Sequence, residues 1–196
     1  MFMSDFFVTA STTLGLVALA ELGDKTQLVC MILATRHPPA PVLLGAVAAF
    51  AVLNLLAVLF GAAAAAWLPE WLIAASVAIL FAVFGMRALR EADAEMIEVQ
   101  EYAGRGMFLS AFTLIFLAEL GDKTQLAVAG LAGTQAALPV WVGGTLALAL
   151  TSALGVLAGQ TVLRRLPVRV LHRVCGGLFL VLAAGAGWRA IGALSA

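Results

Sequence analysis

Charge is what this chain has least of. Only 11% of its 196 residues are Asp, Glu, Lys or Arg, against about 25% in soluble globular domains, and the mean hydropathy is +1.07. That scarcity excludes a soluble domain. Neither sign is in excess, with eleven Lys and Arg against eleven Asp and Glu. There is thus no basic field to hold nucleic acid and no acidic tail to hold a basic partner. Cysteine is equally scarce. Cys30 and Cys175 lie far apart in apolar runs without CxxC spacing, which argues against a disulfide framework, a zinc site or an iron–sulfur site. Both read as small buried hydrophobes. The two histidines, His37 and His172, sit beside loop arginines and read as surface residues rather than metal ligands. Neither a Ser/His pair nor a His-x-x-x-His pattern falls in an apolar run, so an intramembrane hydrolase has no footing. No enzymatic activity and no cofactor are expected. A basic leader segment is also missing from Met1 to Phe7, and Glu21, Asp24 and Lys25 interrupt the first apolar stretch, so a cleaved signal peptide is not expected.

What the chain has is apolar length. Crossing a hydrocarbon core of about 30 Å takes roughly 20 residues, and cutting at charges and prolines leaves six such runs: 6–35, 41–67, 70–89, 106–133, 138–163 and 169–191. The predicted fold is therefore an all-α integral membrane protein with six transmembrane helices. Arg36-His37-Pro38-Pro39, Leu68-Pro69-Glu70 and Arg164-Arg165-Leu166-Pro167 mark turns. The one long polar stretch divides the chain into a first three-helix unit, 1–89, a cytoplasmic acidic linker, 90–105, and a second unit, 106–196. The linker acids, Glu91 to Glu101, read as a solvated loop or surface helix, or as a device that concentrates cations at the inner mouth. Small residues such as Ala62 to Ala66, Gly143-Gly144 and Gly176-Gly177 suit close helix packing, within one chain or between the copies of a homo-oligomer. Alternate-side counting puts Arg36, Arg87, Arg90, Arg105, Arg164, Arg165, Arg169 and Arg173 on one face and only Arg189 on the other. By the positive-inside rule both termini are expected outside the cytoplasm.

The two units are copies. Residues 19–28 and 117–126 both read Leu-Ala-Glu-Leu-Gly-Asp-Lys-Thr-Gln-Leu, an offset of 98. At that offset Pro41 falls on Pro139, Gly45 on Gly143, Asn54 on Ser152, Gly61 on Gly159, Leu68-Pro69 on Leu166-Pro167 and Phe81 on Phe179. Three spans per copy is odd, so the second copy enters the membrane from the opposite side. Such inverted repeats are common in secondary transporters, whose substrate sites lie near the midplane between the copies.

The duplicated block puts charge where it is expensive. Glu21, Asp24, Lys25 and their counterparts Glu119, Asp122 and Lys123 fall near mid-span, where each charge costs at least about 2.5 kcal/mol. One reading pairs each Glu with the Lys four positions on along its own helix, which leaves Asp24 and Asp122 over. On a continuous helix Glu21, Asp24 and Lys25 share one face, while Thr26 and Gln27 join it only if the helix unwinds near Gly23. Bringing the copies together converges four carboxylates and two ammonium groups, a net charge of minus two. One divalent cation or two protons would neutralise it. Carboxylate, amide and hydroxyl oxygens are hard ligands that suit Ca²⁺, Mg²⁺ or Mn²⁺. The metal-ligand candidates are Glu21, Asp24, Glu119 and Asp122. Lys25, Thr26, Gln27, Lys123, Thr124 and Gln125 from the block, with Asn54 and Ser152 from mid-span, are candidates to support them. For Asn54 and Ser152, interhelical hydrogen bonding is an equal reading.

The paired motif Glu-x-Gly-Asp-Lys-Thr, at Glu21 to Thr26 and Glu119 to Thr124, resembles that of the Gdt1 family, also called uncharacterised protein family 0016. The likeness extends over essentially the whole chain. It implies a divalent cation (Mn²⁺ or Ca²⁺)/proton antiporter that exports its ion by alternating access, with the four motif acids as the ion-binding set. The short loops resemble those of bacterial members, which implies the inner membrane of a bacterium. Protons, a divalent ion and lipid are then the partners. Two other functions fit the residues: a passive divalent-cation channel, and an exporter of a cationic metabolite such as a basic amino acid.

Overall fold

The computed structural model describes residues 2–22, 24–90, 106–162 and 168–194. Among these it is all-helical, with α1 (Phe2–Glu21), α2 (Lys25–Arg36), α3 (Pro39–Trp67), α4 (Glu70–Arg90), α5 (Met107–Glu119), α6 (Lys123–Thr134), α7 (Ala137–Val162) and α8 (Val168–Leu194). Proline sets two of the boundaries. Pro39 opens α3 at a position where its missing N–H costs nothing, and Pro69 stands between α3 and α4, its carbonyl accepting from the Leu72 and Ile73 amides of α4's first turn.

Two of the six apolar runs, which the sequence left open as either continuous or unwound near the motif, are broken. The run 6–35 is divided between α1 and α2, and the run 106–133 between α5 and α6. Among the described residues four helices are long and apolar enough to cross a membrane: Met3–Glu21, Pro39–Trp67, Glu70–Arg87 and Ala137–Leu157. Met107–Glu119 and Phe179–Ala193 are shorter apolar helices. Hydropathy sees no difference between a continuous helix and two half-helices in one apolar run, and the interruption comes from the backbone. Gly121 has φ +82°, a left-handed conformation that glycine adopts without steric cost. Asp24 N–H donates to the Glu21 carbonyl and Asp122 N–H to the Glu119 carbonyl, both at 3.1 Å. These two tight turns end α1 and α5 at equivalent residues. The acidic linker 91–105 lies outside the described residues, and α4 runs on through Arg90.

Each broken helix packs on a long helix from the other half of the chain. Helices α1 and α2 lie on α7, helices α5 and α6 lie on α3, and α4 packs along α8. Close approach depends on glycine. A Cβ on Gly45 would lie 2.5 Å from the Phe108 carbonyl oxygen and 3.0 Å from the Ala111 Cβ, and one on Gly143 would collide with the Ala10 carbonyl and the Thr13 Cβ. These residues correspond at the offset of 98, so the α3–α5 and α7–α1 crossings use the same device. Phe81 and Phe179, also equivalent, meet each other between α4 and α8 with ring centroids 5.7 Å apart. Outward faces carry Leu59, Phe60, Ile79, Leu157, Val181 and Ile191, all exposed, while the interior holds Glu21, Thr26, Gln27, Asn54, Glu119, Thr124 and Ser152, all buried. Apolar residues facing out and polar residues facing in, on helices of this length, are the pattern of a multi-pass membrane protein.

Candidate ion-binding site

The two helix breaks meet inside the bundle. Half-helices α2 and α6 begin at Lys25 and Lys123, directly after the turns, so their N-termini, with the positive dipole ends, lie beside the motif acids. One carboxylate oxygen from each of Glu21, Asp24 and Asp122 lies within 4.8 Å of the other two. Glu21 is 2% exposed, while Asp24 and Asp122 are half-buried. Three of the four candidate ligands are therefore together. Glu119, 8% exposed, is outside that trio and its carboxylate accepts the Thr26 hydroxyl.

The bonds between the halves are reciprocal. Thr26 Oγ1 donates to Glu119 Oε1, and Thr124 Oγ1 donates to Glu21 Oε1. Gln27 Nε2 donates to the Thr151 carbonyl at 2.9 Å, and Gln125 Nε2 to the Leu53 carbonyl at 3.3 Å. All four residue pairs map onto one another at the offset of 98. Gln125 Oε1 also accepts the Gly121 amide at 2.5 Å, satisfying a donor that the helix break released. The glutamines thus brace the breaks against α3 and α7, and the threonines hold the glutamates. Sequence reasoning missed the two acceptor carbonyls. The repeat register marks Leu53 and Thr151 as equivalents, but nothing in their side chains announces it.

Lys123 forms an ion pair across the two halves, its Nζ 2.5 Å from Asp24 Oδ2. That partner replaces the expected Glu119 on its own helix, because ending α5 at Glu119 removes the regular i,i+4 spacing. The shared helical face expected for Glu21, Asp24 and Lys25 disappears for the same reason. Gly23 and the Lys25 side chain lie outside the described residues. Asn54 Nδ2 donates to Thr145 Oγ1 at 3.2 Å, as the interhelical reading expected, with Thr145 a partner the sequence did not indicate. Ser152 is buried beside Cys30, and that free cysteine is fully buried. His172 and Cys175 have side chains outside the described set.

Comparison with known proteins decides the family. The model described as "Divalent cation/proton antiporter GDT1" matches the chain twice, over residues 9–96 and 107–193. The chain belongs to the GDT1 family. A GDT1-like protein of Synechocystis is 33% identical to it, covering 94% of this chain and 99% of its own length. GDT1-like protein 3 of Arabidopsis thaliana is 30% identical over 86% of this chain and 67% of that protein. A Vibrio cholerae protein named "Putative manganese exporter" is 34% identical over 85% of this chain and 84% of its own. No solved structure matches. This GDT1 chain is accordingly a cation transporter rather than an enzyme, and its helices make it a multi-pass membrane protein.

Proposed function

We propose that this GDT1 chain exports a divalent cation, Mn²⁺ or Ca²⁺, in exchange for protons, with both species using the carboxylates of Glu21, Asp24, Asp122 and Glu119. The observation that carries the reading is the trio of carboxylate oxygens, one from a buried and two from half-buried residues, within 4.8 Å of one another, in a chain whose family is described as a divalent cation/proton antiporter. Oxygens at that mutual spacing can share one hard cation at the usual 2.0–2.6 Å or so from each. Without a cation, clustered carboxylates repel one another and take up protons. Metal and proton therefore compete for the same atoms, which is the physical requirement for exchange. Thr26 and Thr124 orient Glu119 and Glu21 as supporting residues. Two protons per divalent ion would keep the cycle electroneutral, and the candidate charges, which sum to minus two, suit that ratio.

The same reading treats residues 1–89 and 106–196 as inverted three-span copies joined by the linker 90–105. The reciprocal bonds at the offset of 98 and the double family match support it. Alternating access then amounts to exchanging the environments of the two broken helices. The basic residues of alternate loops support an orientation with both termini outside, in a bacterial inner membrane. Reconstitution in vesicles loaded with a pH dye tests the exchange: Mn²⁺ or Ca²⁺ gradients drive proton movement, whereas lysine does not. Metal flux without proton movement would make the chain a channel, and lysine flux would make it a metabolite exporter.

A further inference from the structure

We infer that Lys123 is the site's own cation, its ammonium holding Asp24 in the ion's place when no divalent cation is bound and leaving that carboxylate when one enters. The inference rests on the reading of Glu21, Asp24 and Asp122 as the ion site. Its observation is the contact between Lys123 Nζ and Asp24 Oδ2 at 2.5 Å, on a carboxylate that also belongs to the trio. An ammonium at that distance occupies part of the shell that a hard divalent cation needs around the same carboxylate. Two cations sharing that shell would repel each other strongly in surroundings that screen poorly. One must leave, and the lysine is built to do so.

Lys123 is the first residue of α6, immediately after the break at Gly121. Its side chain is 32% exposed and that of Asp24 20%, so the pair is not sealed in. A four-carbon stem can swing its head clear without moving the backbone. The pair also spans the two halves, Asp24 following the first break and Lys123 following the second. Displacing the ammonium therefore unties a bond between the two broken helices when the ion arrives, and its return expels the ion. A lysine in this role lowers affinity and speeds release. A lysine that merely staples the halves together does neither.

Equilibrium Mn²⁺ binding by the purified full chain at a single pH separates these. Lys123→Gln should bind Mn²⁺ about tenfold tighter than the wild type, with a lower KM and a lower maximal rate of Mn²⁺-driven proton flux. Lys123→Arg, which keeps the charge, should stay near the wild-type affinity. Equal or weaker binding by Lys123→Gln overturns the inference. If the wild type itself binds neither Mn²⁺ nor Ca²⁺, the ion-site reading fails first and takes this one with it. Should Lys123→Gln not fold, amine-reactive labelling of the wild type decides. Mn²⁺ should increase modification of Lys123, and protection or no change would refute displacement.

Discussion

Removing the Thr26 hydroxyl while keeping its shape gives the sharpest stability test of the paired breaks. Thr26→Val preserves volume and β-branching but takes from Glu119 the hydroxyl donor that reaches it from the other half of the chain. Thr26 is 4% and Glu119 8% exposed, so water cannot readily replace the donor. A hydrogen bond contributes about 0.5–1.5 kcal/mol net, and leaving its buried partner unsatisfied costs about 1–3 kcal/mol. The equivalent change, Thr124→Val, strips Glu21 of its partner in an equally buried setting and should cost a similar amount. A double-mutant cycle isolates the bond. Unfolding in mixed detergent of Thr26→Val, Glu119→Leu and the double variant should give a coupling of about 1 kcal/mol or more, and the Thr124/Glu21 cycle should match it. Coupling below about 0.5 kcal/mol in either cycle would refute the claim that these bonds tie the halves together.

Other expectations follow from the same geometry. Gly45→Ala and Gly143→Ala should each destabilise the fold by about 1–3 kcal/mol through backbone collision, while Gly15→Ala, with nothing within 4 Å of the added methyl, should be neutral or stabilising; detergent melting curves rank the three. Asp24→Asn and Asp122→Asn should each lower Mn²⁺-driven proton flux by at least about a hundredfold, because each removes one charged ligand from the trio; flux above a tenth of the wild-type rate would take that residue out of the site. Lowering the pH should weaken apparent Mn²⁺ affinity, since protons neutralise the oxygens that bind the metal, and binding isotherms at several pH values would show a constant affinity if they do not compete.

Much of the candidate site was legible because charge inside an apolar run is costly and its exact repetition at an offset of 98 leaves little room for accident. Of the four acids that the repeat was expected to bring together, Glu21, Asp24 and Asp122 lie within one group and Glu119 lies outside it, and Asn54 and Ser152 are buried at mid-helix. Hydropathy left the helix breaks open, because it scores the apolar residues on either side of the motif alike. Their signals were local: a glycine able to take positive φ, as Gly121 does, followed by an Asp before a new helix start. Once the helix stops at Glu119, the regular spacing that would pair it with Lys123 is lost, and Lys123 finds its partner in the other half. Lys123 meets Asp24 there, and Thr26 meets Glu119. Contacts to backbone carbonyls, as from Gln27 to Thr151, carry no side-chain signature, so a sequence reading passes over them.

Proton release on metal binding tests the central claim most directly, because it asks whether one set of carboxylates serves both ions. Mn²⁺ titrated into weakly buffered, mildly acidic protein should release protons in step with occupancy, approaching two per ion. Both the binding and the release should vanish in Asp24→Asn and Asp122→Asn. Saturable Mn²⁺ binding that releases no proton, or that persists in both variants, would contradict the account.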